Sequence, residues 1–193
     1  MRISGGVARG VTLDVPKGDA VRPATDGMRQ AVFSSLAARV PGAIFLDLFA
    51  GSGAYGLEAL SRGASGGTFV EKNTKTVGCL RRNIAAVCKS LRRDESGLKV
   101  LQGDVLEWTL GAVETAPDLI FIDPPYELIV EVGPKIFEKL GKLLRPELDP
   151  IVVFEMPGEI TLTPVGWTCV KRLGGNGARQ PTTAFFRASP EST

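Results

Sequence analysis

A short apolar run that ends at two prolines constrains the fold of this chain more than any other feature. The run Leu119–Ile122 is apolar throughout, which is typical of a parallel strand buried on both faces of a sheet. Pro124 and Pro125 end the strand, because proline has no backbone N–H to donate to a neighbouring strand. Asp123 and Tyr126 therefore stand at the carboxyl end of a strand, where open α/β sheets bind their ligands.

The segment Asp123-Pro124-Pro125-Tyr126 is a candidate site for a flat group that carries an amino nitrogen. The carboxyl group and a backbone carbonyl can accept hydrogen bonds from an amine, and the tyrosine ring can stack on a base. A strand-ending turn with a solvated aspartate and a packing tyrosine would contain the same four residues. The rest of the chain decides between these two interpretations.

Apolar runs alternate with segments of helical periodicity along most of the chain. Strands are predicted at 44–49, 67–71, 98–102, 119–122, 151–155, 167–173 and 183–187. Helices are predicted at 55–62, 74–91 and 136–144, after a first helix that Thr25 or Asp26 would cap. This alternation predicts an α/β fold with a doubly wound, Rossmann-like sheet of seven mostly parallel strands, the last one antiparallel.

The length of 193 residues is that of one domain with a small appendage. Alternating residues around two glycine turns predict a small N-terminal β-hairpin over residues 1–20. Residues 21–188 then form the α/β domain, and we expect residues 189–193 to be a disordered tail. Nothing in the sequence demands more than a monomer.

Composition excludes several classes of chemistry. The chain has no histidine, which removes histidine-based triads and the commonest metal ligand, and its three cysteines show no C-x-x-C pairing, so we expect no metal site. The formal charge of +2 does not by itself mark a nucleic-acid binder. No apolar stretch has the length of a membrane span, and the N-terminus lacks the apolar centre of a signal peptide. We therefore expect a cytoplasmic protein that does not bind a membrane.

A glycine-rich turn follows the first predicted α/β strand. The segment Gly51-Ser52-Gly53-Ala54-Tyr55-Gly56 matches G-x-G-x-x-G between a strand and a helix, and Glu71 ends the next strand. This is the dinucleotide pattern, in which the acid binds a ribose diol. Asp47 lies within the end of the first strand, where it suits a cationic amino group and disfavours a pyrophosphate.

Four acids are predicted at the carboxyl ends of four successive strands. They are Asp47, Glu71, Asp104 and Asp123, and Asp104 is placed to accept from an adenine amine. Such an edge concentrates negative charge unless a cation binds there. S-adenosylmethionine offers an ammonium, a sulfonium, a ribose diol and an adenine amine, and it has no phosphate. A nicotinamide-dependent oxidoreductase remains an alternative; it predicts NADH binding but does not explain Asp47 or the segment 123–126.

These motifs resemble those of class I S-adenosylmethionine-dependent methyltransferases that act on exocyclic amines. N-terminal residues narrow the resemblance to the bacterial RsmD family, which methylates N2 of a guanine in 16S rRNA (the guanine 966 type). Residues 57–64 also match, and the resemblance extends to about Glu155. Val11, Gly27 and Gln30 depart from the family's usual residues. The N-terminal matches are Arg2-Ile3, Gly5-Gly6, Arg9-Gly10, Leu13, Arg22-Pro23, Thr25-Asp26, Met28-Arg29 and Phe33.

The resemblance implies a role for each matching residue, with S-adenosylhomocysteine as the spent donor. The expected partner is 16S rRNA within a small ribosomal subunit or an assembly intermediate. The residues expected to act on the target base are Asp123, Pro124, Pro125 and Tyr126. The residues expected to bind the donor are Thr25, Arg29, Asp47, Phe49, Ala50, Gly51, Ser52, Gly53, Glu71, Lys72, Asp104, Val105 and Asp123. The residues expected to contact RNA are Arg2, Arg9, Arg22 and Tyr126.

Two further alternatives stay open at this point. A methyltransferase on another amine, such as adenine N6 in DNA or RNA or a protein amide, would share most of these motifs. Relatives of that kind more often carry asparagine at the position of Asp123. A non-catalytic RNA-binding module would tolerate the loss of Asp123, whereas an enzyme would not.

Overall fold

The computed structural model describes residues 1–15, 26–108, 116–178 and 180–189. Within these residues the chain forms one seven-stranded sheet. The strands are Ile44–Leu48 (β1), Gly66–Glu71 (β2), Leu98–Gln102 (β3), Leu119–Ile122 (β4), Ile151–Pro157 (β5), Trp167–Gly174 (β6) and Pro181–Ala188 (β7). Their order in the sheet is β3-β2-β1-β4-β5-β7-β6. Strand β7 runs antiparallel to both of its neighbours, and every other pair is parallel, which confirms the predicted sheet.

In the described part of the chain, four α-helices connect and cover these strands. They are Asp26–Ser35 (α1), Ala54–Ser61 (α2), Thr74–Leu91 (α3) and Ile129–Leu143 (α4). The prediction for α4 was wrong at its start: the helix was expected to begin at Ile136, but it begins at Ile129 and contains Pro134. The N–H that Pro134 lacks would have bonded to the carbonyl of Val130, whose residue is 75% exposed, so water can satisfy that carbonyl. Of the described helices, none has the length and apolar content needed to cross a membrane.

The two faces of the sheet carry two separate apolar cores. Alternate strand residues point to opposite faces, so Phe45 and Phe121 enter one core and Leu46 and Ile120 enter the other. The first core is completed by apolar residues of α1, α2 and α3, and the second by residues of α4. Helices on both faces explain why the central strands are apolar throughout rather than alternating.

The same alternation decides where three acidic residues point. Asp47 follows Phe45 by two positions, Asp123 follows Phe121, and Glu155 lies two positions beyond Val153 in β5. All three therefore lie on the face covered by α1 and α2, at the carboxyl ends of three adjacent strands.

The N-terminal segment, residues 1–14, packs against this first face. Arg2 and Thr12 form an antiparallel bridge, in keeping with a hairpin-like turn. Ile3, Ala8 and Leu13 are buried in the first core, so the segment is part of the domain's interior. Residues 16–20 of the predicted hairpin lie outside the described residues, as do residues 190–193 of the predicted tail.

Candidate active site

The glycine-rich loop between β1 and α2 has an unusual backbone. Phe49, Gly51 and Gly53 all have positive φ angles, of 58°, 54° and 81°. A Cβ atom at Gly53 would lie 2.4 Å from Cδ1 of Leu80, so only glycine fits there without displacement. A non-glycine residue in this region costs on the order of 1–3 kcal/mol, and such strain is concentrated at functional sites. The loop is therefore held in one defined shape.

Backbone and side-chain contacts fix the rest of this loop. The N–H of Ala50 donates to the carbonyl of Val70 at 3.0 Å, which continues the pairing of β1 with β2. Ser52 is buried, and its carbonyl accepts from Nδ2 of Asn83 in α3 at 2.9 Å. The loop is thus joined both to the sheet and to α3.

Two carboxyl groups bond to amides around the loop. Oε2 of Glu71 accepts from the N–H of Gly51 at 2.9 Å. Oδ2 of Asp47 accepts from the N–H of Gly56, in the first turn of α2, at 2.9 Å. In dinucleotide-binding proteins the amides of this turn and helix start face a pyrophosphate. Carboxyl groups in these places repel a phosphate and favour a cationic ligand.

Asp47 is a carboxyl group whose charge depends on what binds nearby. The residue is 2% exposed. Burial raises the pKa of Asp47 to about 8; the hydrogen bond from Gly56 opposes this rise, and the charge of Glu71 adds to it. An opposite charge at short range favours the ionised form of such a group. A cationic ligand would therefore promote ionisation of Asp47.

Lys72 and Asp104 join the loops that follow β2 and β3. Nζ of Lys72 donates to Oδ2 of Asp104 at 2.8 Å, and the N–H of Leu106 donates to Oδ1 at 2.9 Å. The hydrogen bond from Lys72 and then that from Leu106 lower the pKa of Asp104. Val105 is buried in the second core and fixes this loop. The acceptor role of Asp104 toward an adenine amine stays a prediction.

The segment 123–126 lies beside the glycine loop. The N–H of Asp123 donates to the carbonyl of Leu48 at 3.5 Å, so the segment starts as a continuation of β4. Pro124 is buried, and the carbonyl of Pro125 accepts from the N–H of Leu128 at 2.9 Å in a short 3₁₀ turn. Burial, with the charges of neighbouring acids, raises the pKa of Tyr126 to about 12, so its half-buried ring stays neutral.

A second acid, Glu155, stands next to Asp123. The parallel register aligns Ile122 with Phe154, so the next residues of the two strands, Asp123 and Glu155, are neighbours. Glu155 is 1% exposed, and the hydroxyl of Tyr55 donates to its Oε2 at 2.7 Å. Part of Asp123 is exposed, but its carboxyl group is buried, and this burial followed by the charge of Glu155 raises its pKa well above the ordinary value.

Glu155 and its partner Tyr55 were not predicted from the sequence as site residues. Glu155 appeared only as the last residue of a predicted strand, and Tyr55 as the start of a helix. The sequence does contain a pattern that could have identified Glu155. Glu155 directly follows the apolar run Ile151–Phe154, as Asp123 follows the apolar run Leu119–Ile122.

Arg29 is fully buried and forms contacts that the sequence did not suggest. Its Nε donates to Oε2 of Glu58 at 3.3 Å, and its guanidinium also donates to Oδ1 of Asp26 at 2.7 Å and to the carbonyl of Arg2 at 2.5 Å. These contacts hold the N-terminal segment against α1 and α2. The expected role of Arg29 in donor binding stays a prediction, and Thr25 and Arg22 lie outside the described residues.

Glu58 is the centre of this buried network. It is 0% exposed and lies on α2. Besides Arg29, it accepts from the N–H and hydroxyl of Ser4 at 2.8 and 2.7 Å and from Nε of Arg62 at 2.8 Å. Its negative charge is thus compensated within the protein, as a buried charge requires. By contrast, the side chains of Arg2 and Arg9 belong to exposed residues of the same segment.

Comparison with known proteins assigns the chain to a family. A model of the family described as "Conserved hypothetical protein 95" matches residues 1–178. "Ribosomal RNA small subunit methyltransferase D" of Escherichia coli (strain K12) is 33% identical over 169 residues, which are 87% of this chain and 81% of that protein. The chain belongs to the RsmD family. The family resemblance predicted from sequence motifs is therefore confirmed.

Solved structures of methyltransferases are similar in fold to this RsmD-family chain. The structure described as "Putative methyltransferase yhhF from Escherichia coli" matches with a TM-score of 0.79 at 29% identity and covers 98% of each chain. A methyltransferase structure described as "complexed with SAH" matches with a TM-score of 0.65 over 83% of this chain and 49% of that one. Its identity of 14% shows the fold alone. The class I methyltransferase fold predicted from the sequence is confirmed.

Proposed function

We propose that this protein transfers a methyl group from S-adenosylmethionine to the exocyclic N2 of a guanine in 16S rRNA, the guanine at position 966. The observation that carries the proposal is the pair of carboxyl groups bonded to the amides of Gly51 and Gly56, beside the segment 123–126. That edge of the sheet suits a cationic donor and an amine acceptor together. Family membership supports rRNA as the substrate, because relatives carry that name.

The residues around the glycine loop fit this donor. Asp47 would face the ammonium, Glu71 the ribose diol and Asp104 the adenine amine, while Phe49–Gly53 and Val105 shape the space between them. When bound, the donor supplies an activated methyl group. A nicotinamide dinucleotide fits less well, since its pyrophosphate would meet the carboxyl group of Asp47 at the amide of Gly56.

The segment 123–126 would hold the target base. The carboxyl group of Asp123 and the carbonyl of Pro124 accept the two N–H bonds of the amine, and Tyr126 stacks on the ring. Stacking of a base on an aromatic side chain contributes roughly 1–3 kcal/mol. Alignment of the amine with the methyl group is the main catalytic effect, and good alignment lowers a barrier by on the order of 7–11 kcal/mol.

The target guanine must leave its stack to reach this site. A loop or bulge of rRNA, in a small subunit or an assembly intermediate, meets this need more easily than a duplex. The direct test is methyl transfer from radiolabelled S-adenosylmethionine to small ribosomal subunits, with DNA and protein fractions in parallel. Label in DNA or protein but not in rRNA would replace the proposed substrate with another amine.

Replacing Glu71 with alanine should weaken donor binding. A hydrogen bond to a charged group contributes about 1.5–3 kcal/mol, so we expect a loss of roughly tenfold to a hundredfold in affinity. Calorimetric titration with S-adenosylhomocysteine measures this loss. Glu95→Ala, at an exposed acid beyond α3, is the matched control and should bind normally. Unchanged affinity in Glu71→Ala would remove Glu71 from the donor site.

Reversing the charges of Arg2 and Arg9 should weaken RNA capture but not donor binding. Both residues are exposed on a segment that also contributes to the core, so point substitutions test the surface without removing Ile3 or Leu13. For each lost phosphate contact, the slope of log RNA affinity against log salt concentration should become less steep by about one. The control is charge reversal at Lys135 and Lys142 on α4. Equal effects of the two double variants on RNA affinity would contradict an RNA-contacting role for Arg2 and Arg9.

A further inference from the structure

Asp123 and Glu155 form a pair of neighbouring acids, and the proposed reaction does not yet explain why Glu155 is buried beside Asp123. They follow the last aligned residues of β4 and β5, and neighbouring strands lie about 4.8 Å apart. Both point to the face covered by α1 and α2. Glu155 is 1% exposed, and its carboxyl group accepts a hydrogen bond from the hydroxyl of Tyr55 at 2.7 Å. An acid that merely ended a strand would instead be exposed to solvent.

The position of Tyr55 is itself fixed. Its ring stacks on that of Phe121 in β4, with centroids 5.3 Å apart and planes at 18°. Phe33 of α1 packs on the other side of the same cluster, with its centroid 5.6 Å from that of Phe121. The hydroxyl of Tyr55 is thus aimed at Glu155 by the packing of three aromatic rings.

Charged and titratable groups reach this acid pair from every neighbouring element. Tyr55 of α2 and Arg29 of α1 act on Glu155, and Thr183 of β7 is its partner in the strand register. The charges of Glu155 and of Asp47 of β1 raise the pKa of Asp123. Beyond the strand ends, the charges of Glu155, Asp123 and Glu159 act together on Tyr126.

These surroundings treat the two acids unequally. Burial raises the pKa of Glu155 to about 7, but the hydrogen bond from Tyr55 and the positive charge of Arg29 both oppose the rise. Among the described residues, no hydrogen bond or positive charge opposes the rise in the pKa of Asp123, and the charge of Glu155 raises this pKa further. Two adjacent carboxyl groups do not ionise together readily. When the pair holds one proton, these surroundings therefore favour the proton on Asp123 and the negative charge on Glu155.

We propose that Glu155, held by Tyr55, is a positioning residue that orients the protonated Asp123 toward the target amine. During methyl transfer, Glu155 receives the proton of Asp123 as Asp123 takes one from the amine. This inference rests on the proposed function. The Asp123 O–H would point to Glu155, which leaves the other carboxyl oxygen of Asp123 to accept from the amine.

The step balances in atoms and charge. The amine nitrogen uses its lone pair to form the bond to the methyl carbon, and the carbon–sulfur bond breaks, with its electrons staying on sulfur, which becomes a neutral thioether. The nitrogen then loses one proton to the free oxygen of Asp123 as the proton already on Asp123 passes to Glu155. The acid pair goes from one negative charge to none, and the sulfonium loses its positive charge.

The test combines carboxyl titration by ¹³C NMR with the pH dependence of kcat in wild type, Glu155→Gln and Tyr55→Phe. In the wild type we expect Glu155 to titrate near pH 7 and kcat to rise through the same pH. Tyr55→Phe should raise the pKa of Glu155 and shift the rise of kcat to higher pH, because the ionised form of Glu155 loses a hydrogen bond. Glu155→Gln should lower the pKa of Asp123, since a neighbouring charge is gone.

The variants should also separate kcat from binding. Glu155→Gln should lower kcat by about 10²-fold, the low end of the roughly 10²- to 10⁴-fold that proton transfer contributes. KM for RNA and donor affinity should stay within about twofold of wild type. Glu138→Gln, an exposed acid of α4, is the control. The proposal would be overturned if the pH dependence of kcat in Tyr55→Phe matched that of the wild type, or if Glu155→Gln kept the wild-type kcat.

Failure of the inference is distinguishable from failure of the proposed function. A wild-type protein that transfers no methyl to rRNA would contradict the function, and the NMR titrations would then decide the interaction of the two acids. An Asp123 pKa that does not change in Glu155→Gln would overturn the acid pair even in an active enzyme.

Discussion

Asp123→Ala should abolish methyl transfer while the protein still binds its donor. Asp123 is the acid nearest to the proposed position of the amine, and alanine removes both the acceptor for its N–H and the first step of proton removal. We expect kcat to fall at least about 10²-fold, as for the loss of a group that transfers a proton. The fold should persist, because the change removes one of two adjacent acids that repel each other.

The measurement is single-turnover methyl transfer to small ribosomal subunits, with donor affinity determined on the same preparations by calorimetry. Glu127→Ala is the matched control, because Glu127 is an exposed acid next to the same segment. Turnover near the wild-type rate in Asp123→Ala would remove Asp123 from the chemistry and favour the interpretation as an RNA-binding module.

The second large effect is on stability, at Glu58. Its substitution by alanine leaves the guanidinium of Arg29 buried without its partner on α2 and removes the acceptor for two donors of Ser4. Breaking a buried ion pair from one side destabilises a protein by about 3–5 kcal/mol. The N-terminal segment should loosen first, because Glu58 joins it to α2.

Urea unfolding measures this loss, and hydrogen exchange at the amides of Ser4 and Ala8 shows where it begins. Glu138→Ala is the control, since Glu138 forms an exposed pair with Lys142 of a kind that contributes about 0.3–0.5 kcal/mol. A loss below about 1 kcal/mol in Glu58→Ala would mean that solvent or another residue replaces the contact.

The sequence predicted those features that depend on neighbours along the chain. The strand at 119–122, the glycine turn at 51–53 and the acids at strand ends are local patterns, and the structure has each of them where it was expected. The mostly parallel sheet with an antiparallel last strand was predictable because alternating strands and helices allow few arrangements.

Features that depend on partners distant in sequence could not be predicted in this way. Tyr55 and Glu155 are a hundred positions apart, and Ser4 and Glu58 are fifty-four apart. Nothing local to Arg29 distinguishes a buried partner of Glu58 from a residue that closes over a donor. The early start of α4 was missed for a related reason, because solvation of one carbonyl around Pro134 is visible only in the folded structure.

The most direct test of the account is the identity of the methylated nucleoside. Small ribosomal subunits that lack guanine-N2 methylation are incubated with the protein and radiolabelled S-adenosylmethionine, and the rRNA is digested and analysed. The account predicts label in N2-methylguanosine at one position of 16S rRNA with the wild type, and none with Asp123→Ala. Label in another nucleoside, or none despite measured donor binding, would contradict it.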